Sequence, residues 1–339
     1  MGQTSSSVSD LFDWVRRARR LIPREDRRVL LSPPRLLARF VRFALTRHAG
    51  RAGAASASDI LARDSELGTL ILDFFRLAAR GYFRARTEGV ENVPAQGPVL
   101  LVGNHNGGLV PTDGFLTWLA IHDHFGPSRA VFALTHDFLF EDPLLRKYAL
   151  KLGMIRAGHD SARQAFAAGG VVLVYPGSDL DTYRTFRQRG KIVLAGRKGF
   201  IKLALRAGVP IVPVVSAGTH EQFIVLSRGD RLARALHAHE WGRTQVLPWA
   251  LGLPWGFMPG FVPYIPLPAQ TTVAFGKPIR WPDLGADDAG DPEVLERCYQ
   301  EVEGTMQTML DRLSVGRRFL LGQKSGSLSP AAGVLGPAK

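Results

Sequence analysis

The sequence predicts an α/β fold, in which a mainly parallel central sheet is covered by helices and is preceded by basic amphipathic N-terminal helices. Three observations lead to this prediction. Short apolar runs alternate with segments of helical periodicity from residue 98 onward. Polar, glycine-containing loops follow several of these runs, as they do at the ligand edge of an open α/β sheet. The first 51 residues differ, because arginines and apolar residues share helical segments there.

The N-terminal segment is the most basic part of the chain. Residues 1–51 contain 12 Arg and 4 acidic residues, so they contribute +8 of the formal net charge of +13. Two stretches, 11–22 and 35–44, place apolar side chains on one helical face and arginines on the other. Such helices are typical of an interfacial membrane anchor. The alternative is that they pack on the domain and leave only their basic face to solvent.

The rest of the chain alternates between predicted strands and helices. A small-residue linker at 49–58 precedes an apolar helix predicted at 67–82. We predict strands at 98–102, 130–134, 171–175, 210–215 and 271–275. We predict helices at 111–125, 143–153, 160–168, 199–207 and 292–313. This alternation is typical of a mainly parallel sheet with helices on its faces.

These patterns divide the chain into four parts. The N-terminal helices and linker occupy residues 1–58, and a helical lead-in occupies 59–97. The main domain spans 98–315, and we expect the tail at 316–339 to be disordered, since it ends in Gly, Ser, Pro and Ala. The uncharged segment 247–267, rich in proline and aromatic residues, has two interpretations. It is an ordinary loop over the core, or irregular backbone whose aromatic side chains rest at the lipid headgroups or line an acyl tunnel.

Composition limits the classes of partner. The net charge of +13 favours an anionic partner, such as nucleic acid, an acidic membrane face or a phosphorylated small molecule. The N-terminal aromatic residues lie on or beside the apolar faces instead of between arginines, so we expect no nucleic-acid partner. The single cysteine, Cys298, excludes an intramolecular disulfide and predicts a reducing compartment. We expect no secretory signal and no transmembrane helix. The oligomeric state stays open.

Several common active-site patterns are absent from the sequence. No GxSxG, GxGxxG, GxxxxGK[ST] or HExxH motif occurs, which argues against the usual hydrolase, dinucleotide, P-loop and zincin classes. Histidine pairs occur at 122 and 124 and at 237 and 239. Each pair lies in an ordinary polar helical pattern, so we expect no metal site.

The first candidate site lies where a predicted strand ends and the next helix begins. His105 falls just past the strand's carboxyl end, where ligands bind in open α/β sheets. Asp113 opens the next helix and is placed to hydrogen-bond one imidazole nitrogen, which leaves the other nitrogen to take a proton. Gly107 and Gly108 let the backbone approach a substrate closely. This pattern indicates a general base.

The second candidate site follows the third predicted strand. Pro176, Gly177 and Ser178 break that strand into a polar loop, and Arg184 follows with further basic residues at 187, 189 and 191. Guanidinium groups placed in such a loop can clamp a phosphate. The alternative is an ordinary arginine-rich surface loop in a basic protein.

Together these motifs resemble the glycerolipid acyltransferase family, typified by 1-acylglycerol-3-phosphate acyltransferase, and in particular its lysophospholipid and diacylglycerol acyltransferase-like branch. Asn104-His105 is similar to the family's first block, and residues 175–178 are similar to its Phe-Pro-Glu-Gly or Pro-Gly-Gly block. Residues 209–213 are similar to its Val-Pro-Ile-Val-Pro block, with Gly-Arg-Lys-Gly-Phe at 196–200 before them. The resemblance covers 98–282, or 185 of 339 residues, and rests on the order of the motifs.

The resemblance implies acyl transfer from acyl-CoA or acyl-carrier protein to a glycerolipid or lysophospholipid hydroxyl. It implies a peripheral or monotopic protein at an anionic membrane surface, on the cytoplasmic face, with no cofactor besides the acyl donor. His105 would be the general base, and Asp113 would orient it. The substrate-binding residues would be Asn104, Gly107, Gly108, Arg156, Pro176, Gly177, Ser178, Asp181 and Arg184. An oxyanion site for the tetrahedral intermediate would use backbone N–H groups near Gly107 and Gly108 or at the helix start near residue 111.

The first departure from the family pattern concerns the catalytic pair. Seven residues, where the family has four, separate His105 from Asp113, so the loop must bulge for the two side chains to meet. If they do not meet, a competing hypothesis gains weight. The chain would then be a non-catalytic lipid or acyl-CoA-binding protein on the same fold.

Two further departures concern substrate binding. The glutamate of the Pro-Glu-Gly block is missing, and Asp179 or Asp181 would replace it. The family's second block supplies an arginine after a glycine-rich turn. We assign this arginine to Arg156, with His159 and Arg163 as alternatives.

Overall fold

The structure is a computed structural model that describes residues 3–30, 32, 57–106, 108, 110–241, 244–323 and 333–334. The helices in these parts of the chain are α1 (Gln3–Leu21), α2 (Arg24–Leu30), α3 (Ala57–Leu61), α4 (Ser65–Gly81), α5 (Thr112–Phe125), α6 (Phe138–Glu141), α7 (Pro143–Lys151), α8 (His159–Ala167), α9 (Ser178–Thr182), α10 (Gly199–Ala207), α11 (Asp230–Ala235), α12 (Ala238–Trp241) and α13 (Pro292–Ser314). The strands are β1 (Arg86–Glu88), β2 (Val99–Gly103), β3 (Val131–Thr135), β4 (Met154–Arg156), β5 (Val171–Val174), β6 (Ile211–Ala217), β7 (Ile224–Ser227), β8 (Trp249–Gly252), β9 (Gly256–Pro259), β10 (Thr272–Phe275) and β11 (Gly333–Val334). The helix predicted at 35–44 and most of the linker predicted at 49–58 lie outside the described residues.

A mainly parallel sheet forms the centre of the fold, with the strand order β11-β1-β10-β6-β2-β5-β3-β4. The pairs β2–β5, β2–β6, β3–β5, β3–β4 and β1–β10 are parallel, whereas β6–β10 and β1–β11 are antiparallel. Central parallel strands are buried on both faces and need nearly continuous apolar sequence, which Val99–Gly103 and Val171–Val174 provide. The predicted fold class is confirmed.

Helices cover both faces of this sheet and bury two apolar layers. The layer under α8, α10 and α13 includes Leu100 and Val172, and the layer under α4 and α5 includes Leu101 and Leu173. Consecutive residues belong to opposite layers because side chains alternate along a strand. Each fully buried side chain of this kind contributes about 1.5 to 3 kcal/mol, so the two layers fix the strands that carry the candidate site.

The elements predicted for the main domain are present, with their ends shifted by at most two residues. Their boundaries have local causes. The Asp142 carboxylate accepts the N–H groups of Leu144 and Leu145 at the start of α7, and Gly208 ends α10 in a left-handed conformation. The sequence does not predict β1 and β4, because three residues carry too little periodicity.

The first N-terminal helix packs on the domain through its apolar face. Ala18 is buried in a cluster with Leu67 and Leu70, and the Trp14 indole N–H donates to the Leu70 carbonyl oxygen at 2.7 Å. This is the packing alternative for the part of α1 that contains Trp14 and Ala18, whereas Leu11 and Phe12 on the same helix are exposed. Within the described residues, none of the helices combines the length and apolar content that crossing a bilayer requires.

A second, antiparallel sheet, β7-β8-β9, corrects the prediction for the proline-rich segment. The sequence predicts loop or irregular backbone at 247–267, but Trp249–Gly252 and Gly256–Pro259 form a hairpin that pairs with β7. The prolines at 248, 254, 259 and 263 lie at the ends of the strands or between them. At these positions the N–H group that proline lacks would not take part in a hydrogen bond within the sheet.

The segment after α13 is packed on the domain, which corrects the expectation of disorder from residue 316. Arg317 Nε donates to one carboxylate oxygen of Glu221 at 2.7 Å, and the backbone N–H of Leu320 donates to the other at 2.7 Å. Glu221 is buried, so this carboxylate holds residues 316–323 firmly against the end of β6.

Candidate active site

Three parallel strands end side by side at the candidate site. β2 lies between β6 and β5, with Val102 in register with Val174 and Gly103 in register with Val214. The carboxyl ends of parallel strands meet at one edge of a sheet. The three segments that follow these strands therefore converge, and they carry His105, the 175–184 loop and the 218–222 turn.

His105 and Asp113 meet at this edge. His105 Nδ1 lies 2.9 Å from Asp113 Oδ2, and the Asp113 carboxylate is fully buried at the start of α5. The same oxygen accepts the backbone N–H of Asn106 at 2.9 Å, and the other oxygen accepts that of Gly114 at 2.9 Å. A carboxylate only accepts hydrogen bonds, so Nδ1 carries the proton of a neutral ring. Nε2 is then the nitrogen available to a substrate, and 20% of the side chain is exposed.

The ring of Tyr175 fixes the plane of the His105 imidazole. The two rings stack with their centroids 4.4 Å apart and their planes at 19°. Gly103 is required for this contact, because a Cβ at that position would lie 2.5 Å from the Tyr175 ring. Tyr175 and Asp113 together leave the imidazole one orientation.

Two carboxylates favour the charged form of His105. Burial disfavours the imidazolium and lowers its pKa, but Asp113 and Asp181 outweigh burial and raise the pKa of His105 above its ordinary value. Burial also raises the pKa of Asp181 to about 6, although the Arg184 guanidinium and the His105 backbone N–H favour its carboxylate form. The site is therefore prepared to stabilise an imidazolium once His105 has taken a proton.

Two asparagines hold the His105 loop on β6. The Asn104 side chain donates to the Ser216 carbonyl oxygen at 3.1 Å and accepts the Ser216 N–H at 2.8 Å. The Asn106 amide donates to the Thr219 hydroxyl at 2.5 Å. Both side chains are buried. Asn104, predicted to bind substrate, is thus engaged within the loop scaffold, and Asn106, absent from the prediction, has the same role.

The loop after β5 presses Asp181 against the His105 backbone. Asp181 Oδ2 accepts the His105 N–H at 2.5 Å. Gly177 permits this close approach, because a Cβ there would lie 2.0 Å from the Val193 carbonyl oxygen and 2.4 Å from the Asp181 Cβ. Gly177 and Asp181 are both predicted to bind substrate. In the structure Asp181 holds the His105 backbone, and Gly177 leaves the space that Asp181 needs.

The neighbouring residues of this loop are engaged in a similar way. The Pro176 carbonyl oxygen accepts a hydrogen bond from Arg197 at 2.9 Å. Ser178 has a φ of +48°, and its carbonyl oxygen accepts the Thr182 hydroxyl at 2.8 Å. The hydrogen bonds of Pro176 and Ser178 thus hold the turn into α9.

Arg184 differs from the predicted phosphate clamp. Its guanidinium is fully buried and forms an ion pair with Asp181. It also donates to the Arg189 carbonyl oxygen at 3.4 Å. Arg184 therefore neutralises Asp181 beneath His105 and does not extend into solvent toward a phosphate.

Arg156 lies apart from the His105 pair. It ends β4, which is three strands from β2, a separation of about 14 Å. Its guanidinium is 3.5 Å from the Asp137 carboxylate and stacks over the Phe140 ring at 5.0 Å. The structure does not bring this predicted substrate residue into contact with the site.

The glycine loop is described at one of its two glycines. Gly107 lies outside the described residues. Gly108 has a φ of +59°, and a Cβ there would lie 3.1 Å from Phe223 and 3.4 Å from the Tyr264 hydroxyl. Gly108 therefore lets the loop lie directly against the aromatic cluster beneath the three-stranded sheet.

A pocket of about 300 Å³ opens beside the His105 loop. Its walls include Arg187, Arg189, Ser216 and His220. Both arginines are exposed, and Ser216 is the residue that holds Asn104. Ser216 therefore connects the pocket wall to the His105 loop, and the pocket lining includes exposed cationic side chains.

His220 is a pocket residue that the sequence alone does not single out. It is 4% exposed, and its Nε2 has no hydrogen-bond partner among the described residues. Burial, together with the charges of Arg184 and His105, lowers the pKa of His220 well below its usual range, so the ring is neutral. The sequence feature that could have indicated His220 is its position just after β6, because the segments that follow β2, β5 and β6 meet at the same edge of the sheet.

Comparison with known proteins now identifies the family. Residues 84–217 match the family described as Acyltransferase. An uncharacterized protein of Mycobacterium tuberculosis is 32% identical over 249 residues, which cover 74% of this chain and 67% of the mycobacterial protein. The chain belongs to the acyltransferase family. This confirms the resemblance to the glycerolipid acyltransferases, and the matched residues of this acyltransferase include β2, β5, β6, His105 and Asp113.

More distant relatives share part of the acyltransferase chain. Human diacylglycerol O-acyltransferase 2 is 27% identical over 181 residues, covering 48% of this chain and 43% of that protein. The crystal structure of the 1-acyl-sn-glycerophosphate (LPA) acyltransferase PlsC from Thermotoga maritima aligns with a TM-score of 0.43 and 17% identity, covering 81% of this chain and 90% of that chain. This acyltransferase thus spans about two thirds of its mycobacterial relative and less than half of its human relative.

Proposed function

We propose that this acyltransferase moves a fatty acyl group from a thioester donor to a hydroxyl of a glycerolipid or lysophospholipid. One observation carries the proposal. In a chain of the acyltransferase family, His105 and the buried carboxylate of Asp113 lie 2.9 Å apart at the carboxyl edge of the sheet. The stretched spacing that motivated the non-catalytic hypothesis therefore does not prevent the pair from meeting.

In the proposed reaction His105 is the general base. Its Nε2 takes the proton of the acceptor hydroxyl while the hydroxyl oxygen attacks the thioester carbonyl. Asp113 holds Nδ1–H, and the charges of Asp113 and Asp181 stabilise the imidazolium that forms. When the tetrahedral intermediate collapses, the C–S bond breaks and the imidazolium returns its proton to the leaving thiolate. The products are the ester and a free thiol, and the enzyme regains a neutral His105.

The tetrahedral intermediate needs hydrogen-bond donors for its oxyanion. Backbone N–H groups around Asp113 are already engaged, because those of Asn106 and Gly114 donate to its carboxylate. At the helix start, the N–H of Thr112 donates to the Val110 carbonyl oxygen. The proposed oxyanion site is therefore the Gly107-Gly108 stretch.

The pocket beside the His105 loop is the proposed site for the acceptor head group. Arg187 and Arg189 at its mouth carry charges that suit a phosphate. The neutral His220 offers a buried imidazole nitrogen to a polar head-group atom. This assignment keeps Arg187 and Arg189 of the predicted phosphate clamp and leaves out the buried Arg184.

The donor and the location complete the proposal. Acyl-CoA and acyl-carrier protein are both anionic thioesters, and the chain carries a net charge of +13. The reaction as written needs no cofactor besides the donor. Because the acceptors are lipids, we place the enzyme on the cytoplasmic face of an anionic membrane.

The test is a panel of acceptors. Purified protein is incubated with long-chain acyl-CoA and vesicles that contain a lysophospholipid, a monoacylglycerol or a diacylglycerol, and the products are identified by mass spectrometry. We expect one acceptor class to gain an acyl chain with matching release of CoA. Binding of acyl-CoA without any acylated product, also with acyl-carrier protein as donor, would replace the proposal with the non-catalytic hypothesis.

A further inference from the structure

Exposed apolar side chains are concentrated on one part of the described surface. Of sixteen large apolar residues that are exposed there, nine lie between Leu226 and Ile265, a segment of 40 residues. The part of this segment from 247 onward contains no charged residue. A concentration of exposed apolar residues of this kind is typical of an interaction site.

The three-stranded sheet has two different faces. Its inner face carries Val225, Ala250 and Met258, which are buried in the aromatic cluster next to the active site. Its outer face, which we call the outer sheet face, carries the exposed residues Leu226, Trp249, Leu251, Trp255, Phe257 and Ile265. Buried and exposed side chains alternate along these strands, as they do in a sheet that packs one face on a core. The exposed face of such a sheet normally carries polar residues, but here it is apolar.

The outer sheet face is preassembled. Leu251 is in register with Phe257 on the neighbouring strand, and Trp249 stacks on Phe257 with ring centroids 5.1 Å apart and planes at 8°. The Trp255 indole N–H donates to the Pro263 carbonyl oxygen at 2.7 Å. These side chains are therefore held outward by the hairpin, and ordering them on binding costs little entropy.

Cationic residues border this face. The helix α11 follows β7 directly and starts against the base of the hairpin, where a Cβ on Gly229 would lie 2.0 Å from the Leu247 carbonyl oxygen. It exposes Arg231 and Arg234 together with Leu232. An aromatic and aliphatic surface beside exposed guanidinium groups matches the interface of an anionic bilayer, where rings rest among the headgroups and arginines meet phosphates.

We propose that the outer sheet face is a membrane-docking surface, which inserts its aromatic side chains into the headgroup region of an anionic bilayer. The N-terminal helix α1 offers less of such a surface, because Trp14 and Ala18 pack with Leu67 and Leu70, and Leu11 and Phe12 are the large apolar residues left exposed on its described side chains. The outer sheet face lies about 240 residues further along the chain than α1.

Docking through this face orients the active site. Phe223 and Tyr264, from the cluster beneath the sheet, lie against Gly108 of the catalytic loop. One thin sheet therefore separates the bilayer from the loop that carries His105. This consequence rests on the proposed acyl transfer, whereas the docking itself does not.

Docking is measured by flotation of the full-length protein with vesicles of phosphatidylcholine and phosphatidylglycerol. Phe257→Glu and Leu251→Glu place a charge on the outer sheet face, and Leu61→Glu is the matched control on an exposed leucine outside it. We expect each outer-face variant to weaken vesicle binding at least about tenfold, since insertion loses a large apolar group and gains a repelled charge. Leu61→Glu is expected to change binding less than about twofold.

A fluorescent label reports insertion directly. The chain has one cysteine, and Cys298 is buried, so a cysteine introduced on the surface is labelled selectively. With an NBD label on Phe257→Cys, anionic vesicles should shift the emission to the blue and expose the label to quenching by nitroxide lipids. The same label on Leu61→Cys should show neither change.

The outcomes separate docking from catalysis. His105→Ala is expected to float like the wild type, so a loss of acyl transfer leaves the docking result intact. Unchanged flotation of both outer-face variants, or a label at 257 that stays in water, would overturn the proposal. A dimer in light scattering that Phe257→Glu converts to monomer without affecting flotation would show that a second copy covers this face, and would also overturn it.

Discussion

His105 Nδ1 and Asp113 Oδ2 lie 2.9 Å apart, although seven residues separate the two in the chain. The loop closes this distance because Asp113 Oδ2 also accepts the backbone N–H of Asn106 at 2.9 Å. A loop of this length is held at its start by the Asn104 bonds to Ser216 and at its end by α5. The longer spacing between His105 and Asp113 in the sequence therefore does not prevent a hydrogen bond between their side chains.

The first prediction concerns pH. His105 must be neutral to act as a base, and its pKa is raised by Asp113 and Asp181, so activity should rise with pH through a midpoint above the ordinary value of about 6.5. Asp113→Asn removes the larger of these two charge effects. It should move this acid limb to lower pH and lower the plateau rate at least about 10²-fold. The measurement is kcat/KM against pH for both proteins, and an acid limb that does not move in Asp113→Asn would contradict the assignment.

The second prediction concerns the buried ion pair beneath His105. Arg184→Met leaves the Asp181 carboxylate buried without its partner, so the free energy of unfolding at pH 8 should fall by about 3 to 5 kcal/mol. Adding Asp181→Asn should recover at least about 1 kcal/mol of this loss, since the unpaired charge is gone. Urea denaturation of the single and double variants measures both values.

The pH dependence of that loss checks its cause. The folded-state pKa of Asp181, about 6, lies above the unfolded value of about 3.9, so the folded protein binds this proton more tightly. Lowering the pH through 6 therefore favours folding through this group. Without the Arg184 charge the pKa of Asp181 in Arg184→Met lies higher still, so the variant takes up this proton above pH 6, where the wild type does not. The deficit of Arg184→Met should therefore shrink as the pH falls from 8 to 6 and stay level below 6, and a deficit that stays constant between pH 8 and 6 would show that packing and not charge is lost.

The third prediction concerns Gly177. Its Cβ would lie 2.0 Å from the Val193 carbonyl oxygen, so Gly177→Ala should lower the free energy of unfolding by about 1 to 3 kcal/mol or more. It should also reduce activity, because relief of the clash moves Asp181 away from the His105 N–H. Gly304→Ala is the control, since Gly304 lies within α13 with open space around it and should gain about 0.5 to 1 kcal/mol. Equal stability of the two variants would contradict the packing described here.

The fourth prediction concerns the head-group pocket. The double variant Arg187→Ala/Arg189→Ala should raise KM for a phosphorylated acceptor at least about tenfold, because charge-assisted hydrogen bonds are lost. KM for an uncharged acceptor should stay within about twofold. Arg206→Ala, at an exposed arginine on α10 that does not line the pocket, controls for the loss of a surface cation elsewhere. An equal rise in KM for both acceptors would remove the pocket from phosphate recognition.

The main-domain fold follows closely from the sequence. Strands such as Val99–Gly103 are nearly continuous apolar runs because both their faces are buried, and caps such as Asp142 fix the helix ends. The β8-β9 hairpin is not predicted, because its prolines lower the strand signal and its outward side chains are apolar, so polar and apolar residues do not alternate.

The candidate site is predicted only in part. The sequence places His105 and Asp113 at one strand end, because both flank a visible strand-to-helix junction. The sequence does not show which side chains are buried. Arg184 is therefore predicted to bind a phosphate, whereas in the structure it is buried and paired with Asp181, three residues before it. His220 is missed because its position at this edge depends on β6 lying beside β2, which only the sheet order reveals.

The most direct test of the account is the rate of acceptor-dependent CoA release by the wild type and by His105→Ala. His124→Ala, an exposed histidine at the far end of α5, is the matched control, and a sample without acyl-CoA gives the background of the buried Cys298 thiol. The account predicts that His105→Ala lowers the rate about 10² to 10⁴-fold with its folding intact, while His124→Ala keeps the wild-type rate. Wild-type release by a folded His105→Ala would contradict the account.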